Sequence, residues 1–249
     1  TSSDMQLERL LKEHGSFKEI YLHFFGALFH DDEMARMSKL EGLVKKLEKT
    51  DFRTITVNDV NYPESLKKVP KSTPVLYCTG NIELLREKSI AVVGTRELEQ
   101  EVDKKDGADV LRRLVENGYV VVSGLAAGCD TLAHTKAIEY GGKTIAVLGT
   151  PLTSFYPKEN KELQERMAAE QLVISQYPVG IKTFPSHFAH RNLTTAGISS
   201  EGVVVIRSGD KSGTQHAIRH CLAQGKQLYA LANNFGKGYE WVSKNRDRI

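Results

Sequence analysis

A chain of 249 residues can build one large core or two domains, and its 40% hydrophobic and 26% charged content is that of an ordinary globular protein. No apolar run approaches the roughly 18 residues that a membrane helix needs, so no membrane-spanning helix is predicted, and no membrane partner is expected. With a net charge of only +3, any nucleic-acid site has to be a local patch, and three dispersed cysteines, Cys78, Cys129 and Cys221, read as reduced packing residues of a cytoplasmic protein rather than a disulfide framework.

Residues 1 to about 50 are charged and helix-patterned, with apolar groups at Leu7, Leu10 and Leu11 and again from Ile20 to Phe29. Gly15-Ser16 separates two helices there, and Asp31-Asp32-Glu33 caps a third that ends near Leu47. The expectation is a small helical domain of the SAM-like kind, with its linker, over residues 1–60. The stretch 51–75, rich in Asn, Asp, Lys and the breakers Pro63, Pro70 and Pro74, reads as a linker onto a larger domain over 61–249. From Pro74 onward strands and helices alternate. Strands are expected at 75–78, 89–93, 119–123, 144–148, 172–175, 202–206 and 226–231, and helices at 102–117, 131–140, 158–170, 194–199 and 214–224. Such alternation predicts an α/β fold built on a doubly wound, mostly parallel sheet.

Ligands bind open α/β sheets at the carboxyl edge of the strands, and that edge is where the polar motifs fall. The run Ile90-Ala91-Val92-Val93 breaks into Gly94-Thr95-Arg96, whose backbone N–H groups and guanidinium can converge on a phosphate; a plain turn with a solvated arginine is the alternative. The next strand breaks into Ser123-Gly124-Leu125-Ala126-Ala127-Gly128-Cys129-Asp130, a glycine loop with neither dinucleotide nor Walker A spacing. Asp130 reads as a helix cap and His134 as a packing residue. Ser212-Gly213-Thr214 opens a helix, so its hydroxyls and free N–H groups make either an anion site or a cap. Ahead of the helix expected at 194–199 stand His187, Phe188, His190, Arg191 and Asn192. An arginine beside aromatic rings can clamp a backbone phosphate and stack an unpaired base, while the bland reading buries Phe188 and pairs Arg191 with an acidic neighbour. His216 and His220 have metal-ligand spacing without a completing ligand, and read as surface histidines. No nucleophile elbow and no His-Glu-x-x-His motif occurs, so hydrolase chemistry has no visible apparatus.

Taken as a series, these segments resemble the DprA/Smf family of DNA-processing proteins. The series runs from Tyr62-Pro63 through Pro74-Val75-Leu76-Tyr77, Ala91-Val92-Val93-Gly94-Thr95-Arg96, Ser123-Gly124-Leu125-Ala126-x-Gly128-x-Asp130, Tyr156-Pro157-x-x-Asn160, Phe188-x-x-Arg191-Asn192 and Ser212-Gly213 to Gly225-Lys226, about residues 60 to 232. The resemblance implies an extended Rossmann-like domain that binds single-stranded DNA, has no established catalytic reaction, cofactor or metal, passes the DNA to a RecA-type recombinase and forms homodimers. It also implies that a basic pocket takes the DNA backbone, with Arg96, the segment 182–187, Phe188, Arg191 and Asn192 falling on it. Joined to the motif reading, the candidate DNA- and phosphate-binding set is Gly94, Thr95, Arg96, Ser123, Gly124, Lys182, His187, Phe188, Arg191, Asn192, Ser212, Gly213 and Thr214.

The departures mark a divergent member. Arg207 replaces the usual acidic residue and faces either the pocket or solvent; Asn233-Asn234 replaces Pro-Gly; Leu193 replaces a basic residue; and no winged-helix domain is expected after residue 249. Two other readings stand beside single-stranded DNA. One is a sensor or hydrolase for a nucleotide-derived small molecule, although the hydrolase's Gly-Gly-x-Gly-Thr-x-x-Glu loop is missing. The other makes the N-terminal helices a partner-docking element.

Overall fold

A computed structural model describes Arg9, residues 12–15 and residues 52–249. The helical domain expected over residues 1–60 lies, but for those few positions and its last residues, outside the described residues. The linker expected over 51–75 is not one. Residues 52–56 form strand β1 (Phe52–Thr56), and Glu64–Lys67 form a short helix α1. β1 shows one buried side chain, Ile55, between exposed Arg53 and Thr54 and half-buried Thr56, the pattern of a strand at a sheet edge with one solvated face.

Among the described residues eight strands form one sheet in the order β1-β2-β6-β5-β4-β3-β7-β8. They are β1, β2 (Val75–Gly80), β3 (Ser89–Val93), β4 (Val120–Ser123), β5 (Thr144–Leu148), β6 (Leu172–Ser175), β7 (Gly202–Val205) and β8 (Gln227–Ala230). β1–β2 and β2–β6 pair antiparallel, and every other pair is parallel. All residues of β3, β4, β5 and β7 are buried, as continuous apolar runs covered on both faces require. Alternate side chains feed two cores. Ala91 and Val93 join Val122, Val147 and Ile218 on one face, while Ile90 and Val92 join Leu111, Cys129 and Ala133 on the other.

The covering helices are α2 (Glu101–Glu116), α3 (Cys129–Glu139), α4 (Lys161–Glu170), α5 (Pro185–Ile198), α6 (Thr214–Ala223) and α7 (Glu240–Lys244). Helix α5 corrects the short helix expected at 194–199, which placed Arg191 and Asn192 ahead of it. Pro185 sits at its start and the preceding Phe184 is extended (ψ 153), so the helix begins a full nine residues earlier and carries Phe188, Arg191 and Asn192 on its own turns. Among the described residues no helix is long and apolar enough to cross a membrane.

The strand order decides where a site can open. From β3 the sheet continues through β4, β5 and β6 on one side and through β7 and β8 on the other. The chains leaving β3 and β7 therefore diverge, which leaves a crevice at their carboxyl ends.

Candidate functional site

That crevice is a cleft of about 590 Å³. The loop after β3 supplies Gly94, Thr95 and Arg96, the loop after β4 supplies Gly124, helix α5 supplies Phe188, Arg191 and Asn192, and the segment entering α6 supplies Ser212, Gly213 and Thr214. Three expected members are elsewhere. Ser123 is buried and donates its hydroxyl to the Val92 carbonyl at 2.6 Å, so it ties β4 to β3. Lys182 is exposed on the approach to α5, 5.9 Å over the Phe184 ring. His187 stacks flat on Tyr177 at 4.0 Å, and burial followed by the neighbouring His190 pushes its imidazole below the ordinary value.

The glycines of the cleft make room for the protein itself. A Cβ on Gly94 would collide with the Cys129 side chain, and one on Gly124 with the Arg191 guanidinium. The Thr95 N–H, expected to be free for a phosphate, donates to the Arg207 carbonyl at 2.8 Å, and the Thr95 carbonyl accepts from Cys129 N–H at 3.0 Å. These bonds lock the β3 turn between the β7 loop and the start of α3. The side chain of Arg96 stays available there, exposed, with its guanidinium 5.7 Å over the Phe188 ring. Phe188 in turn lies over Gly149, where a Cβ would strike its ring, and against Tyr156 at 4.8 Å.

Arg191 follows the bland reading of its motif, paired with an acid. Only 4% exposed, it donates through Nη1 to the Val147 carbonyl and lies with Nη2 3.9 Å from Asp130 Oδ2. Burial pulls its pKa down and Asp130 pulls it back up; burial likewise pushes the Asp130 carboxyl up, opposed by Arg191 and by the Ala126 N–H at 3.3 Å. Its Nε has no hydrogen-bond partner among the described residues. Arg191 is thus the charged floor of the cleft rather than a side chain free to reach a phosphate. Asp130, expected as a helix cap, is its counter-ion.

On the opposite wall Ser212 accepts from Thr214 N–H at 3.2 Å and donates to the Thr214 hydroxyl at 2.9 Å, while Asn192 reaches the Gly213 carbonyl at 3.3 Å. Gln215 and His216 N–H groups bond back to Ser212 and Gly213 carbonyls, so most of the α6 first turn is already satisfied. Exposed Lys211, which the motif reading passed over although it directly precedes Ser212, lines this wall. His216 also lines it, 3.0 Å from Arg219 Nη2. No group of His, Cys, Asp and Glu among the described residues could hold a metal ion.

The departures at 207 and 233–234 form one network. Arg207 faces neither the cleft nor solvent: it donates to the Asn233 carbonyl at 2.7 Å and lies 3.7 Å from Asp103. Asn233 donates to Asp103 at 2.7 Å, and Asn234 accepts from Ser208 N–H at 3.0 Å. Two asparagines and an aspartate brace the loop after β7.

The family model for DNA recombination-mediator protein A matches residues 53–244. The chain is 36% identical to DNA processing protein DprA of Streptococcus pneumoniae over 199 residues, 79% of this chain and 68% of that protein. The X-ray structure of that protein superposes with a TM-score of 0.71 over 78% of this chain and 69% of its own. DNA processing protein A from Helicobacter pylori, described for its single-stranded DNA binding mode, superposes with a TM-score of 0.69 at 26% identity, over 80% of this chain and 88% of that one.

Proposed function

Because the chain belongs to the DNA recombination-mediator protein A family, matched from residue 53 to 244, we propose that it binds single-stranded DNA in the cleft and holds it without chemical turnover. One observation carries the assignment to this site: an exposed cation, Arg96, poised over an aromatic ring, Phe188, at the switch point of the sheet. Cation and ring together suit a phosphate with its unpaired base, a combination that duplex DNA does not offer. Lys211 on the far wall adds a second positive charge, and Asn192, Ser212 and Thr214 supply polar groups between them. Holding the strand without turnover follows the family resemblance; in the cleft Asp130 is committed to Arg191, while Glu97 and His216 stand on its walls. The reading extends to transfer of the DNA to a RecA-type recombinase and to a homodimer, as the family resemblance implies, and to the cytoplasm, which the buried free cysteines Cys78, Cys129 and Cys221 support.

Fluorescence anisotropy of labelled oligo-dT, beside a duplex of equal length, tests the site. The parent is expected to prefer the single strand and to weaken with salt. Arg96→Ala is expected to reduce affinity and to flatten the log–log salt dependence by about 0.7, the contribution of one phosphate contact on a single strand. Failure of the parent to bind oligo-dT at low salt overturns the reading, and thermal shifts with nucleotides then test the small-molecule alternative. Normal binding by Arg96→Ala moves the site away from this cleft.

A further inference from the structure

Large apolar side chains exposed near the cleft are concentrated where α5 begins. Tyr156 and Phe184 are each 50% exposed and Ile181 is 41% exposed. Tyr156 rests against Phe188, the ring of the cleft itself. Phe184 precedes Pro185, which lines the cleft beside Phe188. The Phe184 ring is also braced. His187 meets it edge-on at 5.4 Å, His187 is stacked flat on Tyr177 at 4.0 Å, and the Tyr177 hydroxyl donates to the His187 carbonyl at 3.0 Å. A half-exposed phenyl ring held by a stack behind it has little packing role to justify its position, yet its orientation is fixed before any ligand arrives. Lys182 Nζ stands 5.9 Å over the same ring, which places a cation beside it as Arg96 stands beside Phe188.

The geometry points to a second base-stacking station, Phe184 with Lys182, just outside the cleft, which receives an unpaired base and phosphate neighbouring the nucleotide held at Phe188 and Arg96. The inference rests on the single-stranded DNA reading of the cleft and adds to it a path along which the strand leaves. Charge complementarity and continuity with the cleft identify the occupant: a cation repeated beside a π-face matches a repeating phosphate and base, whereas a protein segment would not require that pairing. His187, a candidate DNA contact by sequence, becomes the brace of this platform.

The full chain and its Phe184→Ala, Phe184→Leu and Phe184→Trp variants are titrated with a length series of labelled oligo-dT. Parent affinity is expected to rise once the oligonucleotide outgrows the cleft. Phe184→Ala and Phe184→Leu are expected to keep the parent's affinity for the shortest oligonucleotide bound and to lose roughly 5- to 150-fold on long ones, the range of one lost base–aromatic stack. Phe184→Trp is expected to restore the long-strand affinity and to show fluorescence quenching with long but not short oligo-dT, against a background from the chain's one native tryptophan, Trp241, which is buried. Parent-like binding by Phe184→Ala at every length, or an unquenched Phe184→Trp, overturns the station while leaving the cleft reading intact. Restoration by Phe184→Leu reduces it to an apolar contact and overturns stacking. A parent that binds no oligo-dT removes both.

Discussion

Arg96 and Arg191 carry the same charge and do opposite work. Arg96 is solvent-exposed, so its removal is expected to cost the fold little and, on the proposed reading, to weaken DNA binding. Arg191 is enclosed by Gly124, the Val147 carbonyl and Asp130, and its removal leaves a buried carboxylate without its counter-ion. Breaking one side of a buried pair typically costs about 3–5 kcal/mol. Arg191→Ala is therefore expected to lower the unfolding free energy by that order in urea denaturation, and Arg191→Ala with Asp130→Asn to regain part of it. If the single variant is as stable as the parent and merely fails to bind DNA, Arg191 is a direct ligand after all. The sequence holds both arginines after recognisable motifs, but the direction in which a guanidinium points depends on where a carboxylate arrives from another loop. Asp130 lies 61 positions before Arg191, and no local pattern joins them.

At the scale of elements, α5 is the part that decides the site and the part least visible in advance. Its buried face includes Arg191, Thr194 and Thr195, so no apolar stripe announces a helix until near its end. Its carboxyl end is held from outside. Lys226 Nζ donates to the carbonyls of Ala196, Gly197 and Ser199 at 2.6–2.8 Å, a cation at the negative end of the helix dipole. Lys226→Met is expected to cost about 2–4 kcal/mol by orphaning these charge-assisted bonds, read by urea unfolding, with partial recovery in Lys226→Arg. Because α5 carries Phe188 and Asn192, oligo-dT affinity is expected to fall with it. Strand β1 was hidden for a different reason: Phe52, Thr54, Ile55 and Thr56 favour a strand, but the Asn, Asp and Pro residues that follow gave the whole stretch the look of a linker, and pairing with β2 shows the strand.

For the molecule as a whole, the centre of the sheet sets a pH dependence of stability. Thr144 donates its hydroxyl to the Val121 carbonyl, so its oxygen is left to accept from His134 Nδ1–H at 2.7 Å, and the imidazole is neutral with Nε2 bare. Burial, with Arg191 adding to it, pulls the His134 pKa down to about 3 from 6.5. Between those values the unfolded chain binds a proton that the native chain refuses, so stability present above pH 6.5 is lost as pH falls toward 3. At pH 5 the loss from this group is about 2 kcal/mol. Denaturant titrations are expected to show that decrease between pH 7 and 5 in the parent and a flatter profile in His134→Asn; equal slopes would show that His134 is not the group responsible. Asp130 has the opposite sign, since its raised carboxyl pKa makes the native chain the stronger proton binder in acid.

Continuous apolar runs bounded by glycine determined by themselves that this chain forms a mostly parallel, doubly wound sheet, because a strand covered on both faces admits little else in its sequence. The turns after β3 and β4 and the start of α6 were legible for the same reason: glycine and hydroxyl residues at a strand end are local signals. Only the tertiary structure decided which of those groups stay free. The Thr95 N–H is taken by the loop after β7, Arg191 is turned inward by Asp130, and Arg207 is drawn to Asp103 and Asn233, while Arg96, Phe188 and Lys211 are among the side chains that line the cleft. Hydrogen-bond and charge partners that lie far apart in the chain make these choices, and such pairings exist only after the sheet has brought its loops together.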